Sequence, residues 1–163
     1  SALMSVGECY DGVKEASEKH GVLGMGYTYG GRPVSCAGAR ETLKIYEERN
    51  IVDRVRELAP RFQERLSALS KSPLVGEARG VGLIGALELV ADKNTREQYP
   101  AELKIGAMLA ARALNHGLVV RALPGDVIGI CPPLIITIEQ IDELFDSLSI
   151  AVTETEALVN KAA

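Results

Sequence analysis

The sequence has 163 residues, enough for one domain or for one domain with part of another. Hydrophobic residues make up 47% and charged residues 25% of the chain, which is typical of a globular protein and argues against a disordered one. The net charge is -4 and the sequence has no Lys/Arg-rich run, so we expect no nucleic-acid surface. No apolar run reaches the roughly 18 residues of a membrane span, so we expect no membrane association either.

The three cysteines, Cys9, Cys36 and Cys131, are too few and too widely spaced for a disulfide framework. With only two histidines in the chain, they also lack the pattern of a zinc site, so we predict no metal. We expect them to be buried free thiols in a reducing cytoplasm. The opening residues SALMSVGECY contain no basic stretch before an apolar one, so no signal peptide is predicted. They resemble the interior of a strand, and we expect the chain to begin inside a longer protein.

Seven of the sixteen glycines lie within residues 1–33, which predicts mostly loop there, with one short helix that ends at Gly21. The loop GMGYTYGGRP, residues 24–33, places Thr28 between Tyr27 and Tyr29. A hydroxyl beside free backbone N–H groups is a common way to hold phosphate oxygens. The turn-prone composition by itself favours an ordinary turn with a solvated threonine.

Residues 34–71 predict a long helical connector. One apolar stripe repeats at three- or four-residue spacing in its second half: Val52, Val55, Ala59, Phe62, Leu66 and Leu69. Pro60 lies within this stripe, so we expect a kink or a restart of the helix there. Residues 74–90 are rich in glycine and aliphatic residues, which predicts a strand pair or one long bent strand.

A second helix is predicted over residues 102–117, then a strand, a turn at LPGD and another strand over residues 117–136. Thr137 and Gln140 form a capping box that opens the final helix. The fold class is therefore α/β, with an α+β small domain in which an antiparallel or mixed sheet carries helices on one face.

The segment RGVGLIGA contains the pattern G-x-G-x-x-G at Gly80, Gly82 and Gly85, which suggests a Rossmann-like dinucleotide-binding module. Such a module needs an apolar strand before the glycines and a helix after them. Here the preceding residues are polar and the following ones alternate as in a strand. We expect these glycines to let a strand bend or another backbone approach closely.

Arg121 follows aliphatic residues in a predicted strand, where a guanidinium is costly unless an anion meets it. Three interpretations stay open: an edge-strand arginine with its head in solvent, a structural pair with an acid such as Asp126, or a donor fork for a substrate carboxylate. Arg79, beside an acid, is expected to form a structural pair.

Three blocks in order, GYTYGGRPVSCAGA, LVGEARGVGLIGALELV and GLVVRALPGDVIGICPPLIIT, resemble the class III aminotransferases of the ω-amino acid or amine:pyruvate type. This resemblance covers nearly the whole chain and implies the C-terminal domain of the type I fold of pyridoxal-phosphate enzymes. It implies a homodimer in which Thr28 reaches the cofactor phosphate of the other subunit, with Tyr27 and Gly26 shaping that wall. Arg121 resembles the arginine that binds the substrate carboxylate and swings aside for a bare amine.

The resemblance also implies that the Schiff-base lysine lies upstream of Ser1, so we expect no catalytic residue within this chain. Residues 1–33 would be a remnant of the large cofactor-binding domain, and residues 34–163 the connector helix and the small domain. The small-molecule partners would be an amine and a keto acid. Arg32 stands where the family usually has histidine, so the resemblance does not fix the packing around that position. A non-catalytic packing domain is the remaining alternative.

Overall fold

A computed structural model describes residues 6–21, 26, 28 and 30–162 of the chain. The chain divides into two compact units, residues 1–45 and residues 46–163. Its helices are α1 (Gly7–His20), α2 (Pro33–Glu48), α3 (Ile51–Ala68), α4 (Ile105–Asn115) and α5 (Ile138–Ala162). Its strands are β1 (Val75–Val81), β2 (Ile84–Leu89), β3 (Arg121–Leu123) and β4 (Val127–Ile130), and two single 3-10 turns span Leu69–Lys71 and Ala101–Leu103.

The first unit contains α1 and most of α2. The predicted end of α1 is confirmed, since Lys19 and His20 occupy its last turn and Gly21 follows with a φ of 93°. A positive φ is easy for glycine because it has no Cβ to clash with the backbone. Neither helix of this unit contains a buried residue.

The predicted connector is two helices rather than one, because α2 and α3 are separated at Asn50, whose φ of 48° is left-handed. The expected restart at Pro60 does not occur: α3 runs through it as one helix. The apolar stripe is partly wrong at its start. Val52 is 54% exposed, whereas Ile51 and Leu58 are buried together with the correctly predicted Phe62 and Leu66.

The second unit is built on a four-stranded sheet of order β1-β2-β4-β3, in which every neighbouring pair is antiparallel. The predicted strand pair of residues 74–90 is the hairpin of β1 and β2, which turns at Gly82 with a φ of 58°. A two-residue hairpin turn needs such a positive φ. The second hairpin, β3 and β4, turns at the predicted LPGD segment.

Helices α3, α4 and α5 cover one face of this sheet, which we call the inner face. Helix α3 packs on β1 and α5, and α4 packs on α5, β3 and β4. Phe62 of α3 and Phe145 of α5 meet edge to face with ring centroids 5.0 Å apart. The strands contribute buried aliphatic side chains to this core: Val75, Leu87, Leu89, Ile128 and Ile130. The α/β fold with helices on one face of an antiparallel sheet is thus confirmed.

Helix α5 begins as the sequence predicts. The Thr137 backbone N–H donates to Gln140 Oε1 at 3.0 Å, and the Gln140 N–H donates to Thr137 Oγ1 at 3.3 Å. This reciprocal pair satisfies backbone donors that the first helical turn otherwise leaves free. Among the described helices, none is long and apolar enough to cross a membrane.

Candidate functional site

Arg121 is the first residue of β3, the edge strand of the sheet, and it is exposed. Within the described part of the chain, its guanidinium has no hydrogen-bond or ion-pair partner. The suggested structural pair with Asp126 is wrong, because Asp126 Oδ1 instead accepts from the Gly106 backbone N–H at 2.8 Å, at the start of α4. The guanidinium of Arg121 is therefore available to an incoming anion.

Arg79 shows the opposite behaviour, as predicted. Its Nη1 lies 2.8 Å from Glu88 Oε2 and 3.3 Å from Glu77 Oε2, so two carboxylates neutralise it. The hydrogen bond to Glu88 raises the pKa of the Arg79 guanidinium above its ordinary value. This arginine is a structural partner on the strands and not a free anion receptor.

The two arginines lie in one row across the sheet. The strand register pairs Arg79 with Ala86, Ala86 with Gly129, and Gly129 with Arg121. Gly129 alternates with the buried Ile128 and Ile130, so this row lies on the face away from the helices, which we call the outer face. Two small residues thus separate a neutralised arginine from an unpaired one.

The glycines of RGVGLIGA do not form a dinucleotide site. Gly80 lies in β1, Gly82 in the hairpin turn and Gly85 in β2, so a strand follows them where a helix N-terminus is needed. A Cβ at Gly85 would lie 2.8 Å from Leu66 Cδ2, and one at Gly80 would lie 2.4 Å from the Ile84 carbonyl oxygen. Gly80 and Gly85 serve close packing and Gly82 serves the turn, as the sequence context suggested.

Thr28 lies in a turn, and both Thr28 and Gly26 are exposed. Tyr27, which we also expected at this site, lies outside the described residues. A Cβ built on Gly26 would meet no heavy atom within 4 Å, so a side chain at this one position would be free of contacts. Thr28 therefore presents one hydroxyl donor that could meet a phosphate oxygen. Thr28 and Arg121 belong to different units of the chain.

All seven lysines of the chain are exposed: Lys14, Lys19, Lys44, Lys71, Lys93, Lys104 and Lys161. A lysine that forms a Schiff base at neutral pH needs apolar surroundings or a nearby cation that lowers its pKa. Exposure gives none of these seven the apolar surroundings. The expectation that the Schiff-base lysine lies upstream of Ser1 stays a prediction.

The cysteines differ from expectation. Cys9, Cys36 and Cys131 are free, but all three are exposed rather than buried. Composition cannot reveal this, because free cysteine is usually buried as a small apolar residue. In the described part of the chain, no group of three or more His, Cys, Asp or Glu side chains is placed to hold a metal.

Sequence reasoning missed an open apolar groove of about 630 Å³ between the start of α5 and the segments that flank β3 and β4. Val120 on its wall immediately precedes Arg121, and the groove also includes Ile130, Cys131 and Ile135. Ile135 is 63% exposed. The proline pair and aliphatic residues of CPPLII were the signal available in the sequence, but only the fold shows that both prolines and both isoleucines of this segment line one groove.

Comparison with known proteins gives the family. The profile of the family "Aminotransferase class-III" matches residues 7–152. The chain is 44% identical over 160 residues to "Gamma aminobutyrate transaminase 3, chloroplastic" of Solanum lycopersicum, covering 98% of this chain and 31% of the relative. An ancestrally reconstructed transaminase is 37% identical with a TM-score of 0.84, over 94% of this chain and 34% of that one. The PMP-bound form of an aminotransferase from Vibrio fluvialis is 35% identical with a TM-score of 0.82, over 93% and 33%. The chain thus spans about a third of the length of the proteins it matches.

Proposed function

Since the chain belongs to the class-III aminotransferases, we propose that it forms the C-terminal part of an enzyme that transfers an amino group from an ω-amino acid or an amine to a keto acid such as pyruvate. The relative from Solanum lycopersicum is named for γ-aminobutyrate, which is an ω-amino acid. An ω-aminotransferase from Paracoccus denitrificans shares 36% identity and a TM-score of 0.79 with the chain. These relatives support the substrate class.

The observation that carries the proposal is the unpaired guanidinium of Arg121 on the edge strand. A guanidinium presents parallel N–H donors that match both oxygens of a carboxylate. In the proposed reaction, Arg121 binds the carboxylate of the keto acid and thereby orients its carbonyl carbon for amino transfer. When the substrate is a bare amine, the same side chain moves aside.

Pyridoxal 5′-phosphate is the proposed cofactor, and a solved relative is described as bound to PMP. When bound, this cofactor supplies an electron sink for the carbanion that forms as a proton leaves the substrate. The chain's own residues fit a limited part of such a site. The exposed hydroxyl of Thr28 suits one phosphate oxygen, and the open backbone at Gly26 leaves room beside it. Tyr27 is proposed to complete this wall.

We propose that Thr28 acts across a homodimer, on the cofactor phosphate held by the partner subunit. The Schiff-base lysine is proposed to lie upstream of Ser1, since the seven lysines of the chain are all solvated. The isolated chain should then neither turn over substrate nor bind the cofactor covalently. Pyridoxal phosphate titrated into it should give no absorbance band that a lysine substitution abolishes, and such a band would contradict this proposal.

The proposed organisation assigns residues 1–33 to the large domain and residues 34–163 to the connector and the small domain. A cytoplasmic location is proposed with it, because three free cysteines suit a reducing compartment. Some relatives are named mitochondrial or chloroplastic. Fractionation of cells that express the tagged full-length protein tests the location.

The test of the function uses the longer enzyme that contains this chain, assayed with pyruvate and an amine. Arg121→Ala should raise KM for pyruvate by about ten- to a hundredfold, as expected for loss of a charge-assisted hydrogen-bond pair. Arg79→Ala is the matched control, because that arginine is already neutralised by Glu77 and Glu88. An unchanged KM in Arg121→Ala would instead favour the alternative of a non-catalytic packing domain.

A further inference from the structure

The cross-strand neighbour of Arg121 on the outer face is Gly129. Its backbone does not adopt a positive φ, so the conformation of the strand does not require glycine there. Strand interiors normally disfavour glycine because it costs conformational entropy and leaves nothing to pack. The absence of a side chain beside Arg121 therefore calls for a reason other than backbone geometry.

A Cβ added at Gly129 would lie 3.4 Å from Leu123 Cδ1, 3.7 Å from the Arg121 carbonyl oxygen and 3.9 Å from Arg121 Cβ. These are ordinary contact distances, so alanine fits the position without displacing either neighbour. Any longer side chain would enter the space between Leu123 and the stem of Arg121. Because residue 129 is glycine, no side chain of its own extends into that space.

Arg121 has two directions available to it. It is exposed, it lies on the edge strand, and within the described residues no acceptor fixes its guanidinium. One direction leads away from the sheet toward an incoming carboxylate. The other lies across the neighbouring strand, and the next residues in that row are the small Gly129 and Ala86.

We propose that Gly129 is a positioning residue that sets the substrate range through Arg121: it leaves the space into which the Arg121 side chain folds when a substrate has no carboxylate. This inference rests on the proposed function of Arg121. With a keto acid present, the guanidinium extends to the carboxylate. With a bare amine present, an extended guanidinium would be an unpaired cation against an apolar group, which is unfavourable. When the Arg121 side chain folds over Gly129, the guanidinium leaves the apolar group and this unfavourable contact is avoided.

The test compares Gly129→Val with the unaltered full-length enzyme in the reaction of butylamine with pyruvate. Valine is branched at Cβ, so it fills the space beside the Arg121 stem and forces a folded Arg121 away from its preferred rotamers. KM for butylamine should rise about two- to tenfold, the ratio that corresponds to an off-rotamer side chain. KM for pyruvate should stay within twofold, because the extended direction of Arg121 remains free.

Two further variants separate this role from general damage to the sheet. Gly129→Ala, whose Cβ makes only ordinary contacts, should fold like the unaltered enzyme and raise KM for butylamine less than valine does. Val81→Ile adds bulk to the outer face on β1, two strands from Gly129 and three from Arg121, and should change neither KM. A Gly129→Val enzyme that folds and keeps its KM for butylamine, or one in which both KM values rise together, would overturn the proposal. The proposed function fails separately, if Arg121→Ala leaves KM for pyruvate unchanged.

Discussion

Two glycines in neighbouring strands provide a matched pair for testing the packing described above. Gly85 in β2 faces the helices, and its added Cβ would lie 2.8 and 3.1 Å from the methyl groups of Leu66 and 3.2 Å from Phe62 Cε1. Leu66 is 1% exposed and Phe62 is fully buried, so neither can move without displacing the core. The closest contact of an added Cβ at Gly129, on the outer face, is 3.4 Å.

The expected effects of alanine at these two positions have opposite signs. Replacing glycine in a strand interior restricts the unfolded chain and stabilises by about 0.5–1 kcal/mol when the new Cβ fits. Gly129→Ala should gain about this amount. At Gly85 the same gain is outweighed by overpacking of the core, which costs about 1–3 kcal/mol. The two variants should therefore differ by about 2 kcal/mol in the free energy of unfolding.

The measurement is thermal or urea unfolding of the chain, followed by far-UV circular dichroism. A difference of about 2 kcal/mol corresponds to about 4–8 °C in Tm for a protein of this size. Both variants should keep the circular dichroism spectrum of the unaltered chain at low temperature. If Gly85→Ala were as stable as Gly129→Ala, the close approach of α3 to the hairpin would be wrong, and packing would no longer account for Gly85.

Asp126→Ala should lower the free energy of unfolding by about 0.5–2 kcal/mol, because it removes the acceptor for the Gly106 N–H at the start of α4. Asp126→Asn keeps an oxygen acceptor and tolerates the positive φ of 52°, so its loss in urea unfolding should be clearly smaller. Burial, and secondly the charge of Glu156, raise the pKa of the Tyr99 hydroxyl above its ordinary value of about 10. The folded state therefore favours the neutral form of Tyr99. The contribution of Tyr99 to the free energy of unfolding is complete below pH about 10, the unfolded pKa, and is lost as the pH rises through the raised folded pKa. Above pH about 10, the Tm of Tyr99→Phe should fall less steeply with pH than the Tm of the unaltered chain. Equal slopes of Tm against pH in the two proteins would contradict this.

The elements of the second unit could be predicted because their signals are local. The capping box at Thr137 satisfies backbone N–H groups within one helical turn. The glycines with positive φ in the two hairpins reverse the chain direction within a two- or three-residue turn. The error at Val52 arises because a local signal has a limit: helical periodicity defines an apolar stripe, but it does not tell which of two neighbouring stripes meets the core. Pro60 was expected to interrupt α3, yet the helix continues through it. Packing against the sheet and α5 stabilises a helix beyond its local propensities.

The candidate site was predictable only in part, since its properties depend on contacts between distant residues. Sequence reasoning identified Arg121 but could not tell whether its guanidinium pairs with Asp126 or lies in solvent. The answer depends on Asp126, whose own partner, the Gly106 N–H, lies 20 residues earlier in the chain. The Arg79 pair was predictable from its neighbour Glu77, whereas the closer contact with Glu88 depends on the hairpin register. The role of Gly129 gives no signal in the sequence at all, because it depends on the register of β3 against β4.

The glycines of the sheet show why a spacing pattern is a weak guide to function. Gly82 is needed for its positive φ, and Gly85 is needed because a helix occupies the place of its side chain. Gly129 meets neither condition, and its missing side chain leaves space between Leu123 and Arg121. A motif search weights the glycines of RGVGLIGA most strongly, yet both Gly82 and Gly85 are explained by folding alone. The glycine with no structural requirement lies beside the one unpaired arginine of the described sheet, so function is better sought where packing and backbone geometry leave a residue unexplained.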